Sequence, residues 1–303
     1  METLKLKSQA DGLGLSVLVR EAEGLPKCTV QIVHGMCEHK ERYLPFMDFL
    51  ASHGCTCVIH DNRGHGASVI DPEDLGYMYK GGWKAMVADI GAVASWISGA
   101  FPGRKRNLIG HSMGSMAVRS FAKRHDEMID SLFVVGSPSD NPVKGAGKLL
   151  ASTISLLRGD RCRPAILQKL SFGSYNRRFS DEGWNSAWVC SDKSILEEYH
   201  SDPLCQFRFT ANGFSGLIGL MQDCYSLKGW KMSNPGLPVH FLSGADDPCM
   251  ISEKAMQKSM ASMRRAGYGS VDCRLYAGMR HEILNETGKE EVWNDILGLL
   301  ASE

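Results

Sequence analysis

The chain has 303 residues, 43% of them hydrophobic and 22% charged, the composition of an ordinary globular protein with length for one large domain or two small ones. Its 34 basic residues balance 34 acidic ones, so no net field points to nucleic acid or to an anionic surface. No run of 18 apolar residues is present to span a bilayer. The N-terminal Met1-Glu2-Thr3-Leu4-Lys5 lacks the basic segment and apolar core of a secretory signal. The expectation is a cytoplasmic protein.

Short β-rich runs alternate with helical stretches. Residues 15–20 alternate apolar and polar, and 28–33 form an apolar run entering His34-Gly35. Residues 41–52 carry helical spacing in Tyr43, Phe46, Met47 and Leu50, and stop at Gly54. A strand over 55–59 ends at Asp61-Asn62-Arg63-Gly64, and a helix over 83–101 presents Met86, Val87, Ile90, Val93 and Ile97 on one face. Then come a strand at 107–110, a helix at 113–123 and a strand at 132–136. After a long interruption follow a strand at 239–243, a helix at 251–266, a strand at 271–276 and a helix at 290–300. This alternation predicts an α/β fold, a mostly parallel central sheet flanked by helices.

The interruption breaks that rhythm just after Gly136. Residues 137–210 read as a mostly helical cap inserted into a core of 1–136 and 211–303, with aromatics at Phe172, Tyr175, Phe179, Trp184 and Trp188. Such an insertion at the carboxyl end of a strand lies where α/β sheets bind ligands. Its apolar side chains should line a pocket, and an amphipathic cap makes transient contact with micelles or membranes an expectation.

Gly110-His111-Ser112-Met113-Gly114 carries the chemistry. A G-x-S-x-G pattern means little alone. Here it follows a strand and opens a helix, as a nucleophile elbow does, which projects the Ser112 hydroxyl above the sheet. His34-Gly35-Met36 follows the 28–33 strand, so the N–H groups of Met36 and Met113 are the candidate oxyanion donors. A serine needs a base, and the base needs an acid to orient it. Beyond Ser112 lie His125, His200, His240 and His281, and only His281 sits in a loop after the last strand. The acid belongs at the end of the strand before, in Gly244-Ala245-Asp246-Asp247-Pro248. Asp247, held extended by Pro248, is favoured over Asp246, and Glu282 is a third option.

The ten cysteines include no Cys-x-x-Cys pair, so neither a metal site nor a disulfide framework is expected. Cys37 and Cys249 sit beside the expected chemistry, and buried packing is the favoured role for both.

Together the motifs resemble the monoacylglycerol lipase and lysophospholipase branch of the α/β-hydrolases. The most specific stretches are Val33-His34-Gly35-Met36-Cys37-Glu38-His39 with Arg42-Tyr43, and Asp61-Asn62-Arg63-Gly64-His65-Gly66-Ala67-Ser68. The resemblance implies an α/β-hydrolase fold, a Ser112–Asp247–His281 triad with Met36 and Met113 as oxyanion hole, and no cofactor. Its Gly-x-x-Asp spacing also marks the second aspartate. It implies further that Glu38 and Arg42 help hold a glycerol end with a histidine three residues past the catalytic one. Here that position is Leu284. The expected activity is hydrolysis of a small-molecule ester with an acyl chain, a monoacylglycerol or lysophospholipid, through an acyl-enzyme. A non-lipid esterase, an aminopeptidase of the prolyl type and a binding protein on an inactive scaffold are the alternatives.

Overall fold

The computed structural model describes residues 1–302. Among these, eight strands form one sheet in the order β1-β2-β4-β3-β5-β6-β7-β8. They are β1 (Glu2–Lys7), β2 (Gly14–Arg20), β3 (Cys28–Val33), β4 (Cys55–His60), β5 (Lys105–His111), β6 (Ser131–Val135), β7 (Val239–Gly244) and β8 (Val271–Tyr276). β1 and β2 join antiparallel, and the strands from β4 through β8 are parallel. β3, β4, β6 and β7 are buried along their whole lengths, because helices cover both faces of a parallel sheet.

One face packs under α1 (Leu44–Ser52) and α9 (Lys289–Ser302), through Phe46, Met47, Leu50, Trp293 and Ile296. The other packs under α2 (Gly82–Ala100), α3 (Met113–His125) and α8 (Glu253–Ala266), through Met86, Met116, Phe121 and Met260. Between β6 and β7 lie α4 (Lys144–Arg158), α5 (Ala165–Phe172), a 3₁₀ segment (Tyr175–Glu182), α6 (Lys193–Ser201) and α7 (Ala211–Cys224). Thr210 caps α7 by accepting from the Gly213 N–H at 3.1 Å. α7 packs on α2 and α3 as well as on α4.

Several readings differ from the sequence expectation, among them the helix α7, which was not anticipated. β1 was not anticipated; as an edge strand it turns only Leu4 and Leu6 toward the cluster of Val17, Val19, Val58, Val93 and Ile97, too few apolar positions to mark it. The helix expected over 41–52 divides into a 3₁₀ turn (Lys40–Tyr43) and α1. The helix expected from 251 starts at Glu253, where the Ser252 hydroxyl accepts from the Ala255 N–H at 3.2 Å.

The Asp61–Ser68 loop is held from within. Fully buried Arg63 donates through Nε to Asp89 at 2.9 Å, and through Nη1 to Asp11 at 2.9 Å and the Met78 carbonyl at 3.2 Å. Nη2 donates to the Ser8 hydroxyl at 3.1 Å. Removing one partner of a buried pair leaves the other charge uncompensated. Arg63→Ala is therefore expected to lose about 3–5 kcal/mol of unfolding free energy, read from urea denaturation. A loss below about 1 kcal/mol would mean that Asp89 finds solvent or another donor.

Candidate active site

Ser112 sits between β5 and α3 with φ 53° and ψ −117°. A non-glycine residue held there carries strain on the order of 1–3 kcal/mol. Its N–H donates to the Val135 carbonyl at 2.9 Å, and its own carbonyl accepts from the Ser115 hydroxyl at 2.6 Å. Small neighbours make the turn feasible. A Cβ on Gly114 would strike the carbonyl oxygens of Val33 and His34, and one on Gly110 would strike Gly114 and Val118.

His281 lies in the loop after β8 and bridges two of the expected partners. Its Nε2 is 2.8 Å from Ser112 Oγ, and its Nδ1 is 3.0 Å from Asp247 Oδ2. Asp247 follows β7 and is buried; its carboxylate also accepts from the Cys249 N–H at 2.8 Å and the Ser243 hydroxyl at 3.3 Å. Hydrogen bonds of this length, with Nδ1 donating to the carboxylate, leave Nε2 to accept the serine proton. The Trp188 ring lies 5.1 Å from the imidazole, centroid to centroid.

The competing residues are placed elsewhere. Asp246 forms an ion pair with Arg178 at 2.6 Å. Glu282 makes a bidentate pair with Arg42 at 2.6 and 2.7 Å. His200 is 2.7 Å from the Ser186 hydroxyl, His240 is 2.9 Å from Asp272 and His125 flanks Glu127. Met113 is the first residue of α3, where an N–H has no acceptor within its helix. It lines the same cavity as Met36 and Ser112.

That cavity measures about 740 Å³ and reaches under the 137–210 segment. Leu150, Leu167, Phe172, Trp188, Phe207 and Met221 contribute apolar wall. The lining is not purely apolar as expected, for Lys144, Lys169 and Arg208 also border it; long aliphatic stems let such residues cover apolar surface while keeping their charges in water.

A family described as serine aminopeptidase, S33, matches residues 24–288. The chain belongs to this family and is an α/β-hydrolase. It is 24% identical over 281 residues to the monoacylglycerol lipase of Mycolicibacterium smegmatis, covering 91% of this chain and 89% of that protein. To the monoglyceride lipase of Rattus norvegicus it is 25% identical over 292 residues, covering 95% and 86%. A thermostable carboxyl esterase from Bacillus coagulans, solved with glycerol, superposes with a TM-score of 0.90 at 21% identity, covering 99% and 98%. A soluble variant of the Saccharomyces cerevisiae monoglyceride lipase superposes at 0.75 and 19% identity, covering 99% and 94%.

This hydrolase also holds a buried polar network that the sequence only hinted at. The Glu38 carboxylate accepts from the Gly35 N–H, from His111 Nδ1 at 2.9 Å and from the Tyr43 hydroxyl at 3.1 Å, and pairs with Arg42 at 3.3 Å. Burial alone would raise the Glu38 pKa, but the hydrogen bond from His111 and the charges of His111 and Arg42 outweigh it and leave it depressed. Burial likewise pushes His111 down, and Glu38 reverses the sign and lifts it above the ordinary range. His111 Nε2 lies 3.3 Å from the His281 carbonyl oxygen. Leu284 packs in the core beneath α9. Cys37 and Cys249 are buried thiols, both pushed up by desolvation first and by neighbouring carboxylates second, which suits packing rather than reactivity.

The two adjacent aspartates make a sharp comparison. Asp247→Asn is expected to lower kcat/KM on an ester by about 10⁴-fold, since the amide would hold the wrong imidazole tautomer. Asp246→Asn removes only a partly exposed pair with Arg178 and should stay within about threefold, because such pairs contribute ~1 kcal/mol or less. Equal losses in the two variants would contradict the choice of acid.

Proposed function

We propose that this hydrolase cleaves carboxylic esters of acyl chains, monoacylglycerols, lysophospholipids or similar lipid esters, through an acyl-enzyme on Ser112. The observation that carries this reading is a serine–histidine–aspartate chain of 2.8 and 3.0 Å bordering an apolar cavity of about 740 Å³. In the proposed cycle His281 takes the Ser112 proton as Oγ attacks the acyl carbonyl. Asp247 stabilises the imidazolium, and the Met36 and Met113 N–H groups hold the oxyanion. The alcohol leaves with the proton from His281, and water repeats the steps to release the acid. No cofactor enters this cycle.

The names of the relatives support a lipid ester, and the family description raises aminopeptidase activity. A free amine would need an unpaired carboxylate at the cavity. Glu38 and Glu282 border it, but both are committed to Arg42 and one also to His111. Glu182 is paired with Arg280. The ester is therefore favoured.

The test is a series of monomeric esters from two to twelve acyl carbons beside aminoacyl amides. Burial contributes about 0.8 kcal/mol per methylene, so kcat/KM should climb by up to about fourfold per methylene over several carbons. Ser112→Ala should abolish turnover by about 10⁴-fold or more, together with labelling by a fluorophosphonate. A flat or falling series, or faster turnover of the amides, would remove the lipid-ester reading.

We also propose that residues 137–210 act as a cap whose outer face meets micelles or membranes carrying the substrate. On α4 and α5, Leu149, Leu156, Leu157, Ile166 and Leu170 are exposed, Leu156 by 85%. A cluster of large apolar residues at one place on a surface marks an interaction site. Arg158 directly follows Leu156 and Leu157 at the end of α4, a pairing that suits a lipid interface. Sedimentation with phospholipid vesicles should carry down the wild type, and Leu156→Ser with Leu157→Ser should lower the bound fraction several-fold while monomeric-ester turnover persists. Equal binding by both proteins would overturn the surface.

A further inference from the structure

A second cluster of chemistry-bearing side chains joins the loop after β3 to the segment after α6. His39 follows Glu38 in that loop. Asp202 and Cys205 lie in the turn that ends α6, where the Cys205 N–H donates to the Asp202 carbonyl at 2.9 Å. A ring nitrogen of His39, a carboxylate oxygen of Asp202 and Cys205 Sγ all lie within 4.8 Å of one another. His39 and Cys205 are buried, and Asp202 is partly open to solvent. We propose that His39, Asp202 and Cys205 form a binding site for a zinc-class divalent cation.

The donor set decides the class of ion. Imidazole nitrogen, thiolate sulfur and a single carboxylate suit a borderline cation such as Zn²⁺, whereas Mg²⁺ and Ca²⁺ select all-oxygen sites. The surroundings have the arrangement such a site needs. Glu41 lies 2.7 Å from His39 Nδ1, while Nε2 faces Asp202 at 2.6 Å. A carboxylate on the far nitrogen fixes the ring and raises the basicity of the ligating one, as outer partners of metal-bound histidines do. Burial keeps Cys205 a thiol, with Arg42 acting in the opposite direction. An arriving cation therefore displaces that proton and takes the thiolate, and it also displaces the Nε2 proton that His39 shares with Asp202, so two protons are released with no change of oxidation state. Arg42, the nearby positive charge, is already held by Glu282 through two hydrogen bonds.

Three protein ligands leave a fourth tetrahedral position for water. Tetrahedral bonds of 2.0–2.3 Å set neighbouring ligand atoms roughly 3.5 Å apart, so Asp202 opens from its 2.6 Å hydrogen bond to His39. The ion would fasten the α6 end to the β3 loop, across 163 residues of sequence. Cys205 also borders the large cavity, so a cation there would brace its wall. No local spacing reveals the site, because its third ligand comes from the other end of that span.

Co²⁺ serves as the probe, since thiolate ligation gives it a near-ultraviolet charge-transfer band. The wild type should bind one equivalent with that band, and Zn²⁺ should displace it and raise Tm. Cys205→Ser, which keeps the side-chain size, should lose the band. Asp202→Asn, at the partly exposed position, should weaken affinity by at least about tenfold. Asp247, Cys249 and His281 form the competing cluster, so Cys249→Ser is the control and should retain the band. Absence of a thiolate band at millimolar Co²⁺ would overturn the site. So would a band that survives Cys205→Ser, or one that is lost in Cys249→Ser. Circular dichroism of Cys205→Ser separates a lost ligand from a lost fold; should that variant not fold, the decision passes to Asp202→Asn, where unchanged affinity overturns the site.

Discussion

The constraint on which the rest depends is the backbone of Ser112. A φ of 53° at a serine persists only where the surroundings over-determine it. They do so here through β3, β5 and β6 as immediate neighbours in the sheet. β6 supplies the Val135 carbonyl that anchors the Ser112 N–H. The end of β3 closes over Gly114 so tightly that no side chain fits. With those strands in that order, the serine can only stand above the carboxyl ends of the sheet. The loops after β3, β7 and β8 then converge on it.

Four buried ionisable side chains hold two of these loops together. Glu38 and Arg42 belong to the loop and turn after β3, Glu282 to the loop after β8, and His111 to the end of β5. The desolvation of such a set largely offsets its attraction, so it is poor evidence of stability. Its effect is one of placement. His111 approaches the His281 carbonyl and Arg42 grips the next residue, Glu282. The backbone of the histidine loop is therefore fixed without a hydrogen bond to the imidazole, whose two nitrogens remain for Ser112 and Asp247, while the His111 ring packs against it at 4.9 Å between centroids.

Much of this could be read from the sequence, for identifiable reasons. The strands at the heart of the sheet are short apolar runs bounded by turn residues, and Ser112 and Asp247 each follow one, whereas His281 follows the alternating edge strand β8. Asp247 stood out from Asp246 because Pro248 keeps it extended, and the two side chains do diverge, one to His281 and one to Arg178. β1 was illegible because an edge strand needs few apolar residues. α7 was missed because Gly213, Gly216 and Gly219 weaken its helical signal. Those glycines let it approach Gly76, Met78 and Trp83 closely, a packing requirement visible only in three dimensions. The charges bordering the cavity escaped for a related reason, since residue type does not tell where a long side chain ends.

The segment between β6 and β7 is tied to the core in two different ways, and the difference bears on how a substrate would enter. Its 175–190 portion is joined to the loops that carry Asp247 and His281 by polar contacts. Arg178 meets Asp246, Glu182 meets Arg280, and the Glu282 N–H donates to the Val189 carbonyl at 2.8 Å. Arg280 also donates to the Ala187 carbonyl at 2.6 Å. That portion is part of the scaffold of the site, since moving it would disturb the histidine loop. α4 instead rests on α7 and the core mostly through apolar side chains, with Leu150 and Ile154 turned inward and Leu149, Leu156 and Leu157 turned out, and with one polar tie from Lys148 Nζ to the Ser215 carbonyl at 2.6 Å. Apolar packing is non-directional, so a helix held this way can exchange one apolar surrounding for another with little penalty. A lipid interface offers such a surrounding, and the charged portion offers no equivalent. Entry on the α4 side would therefore leave the polar links that fix the Asp247 and His281 loops intact.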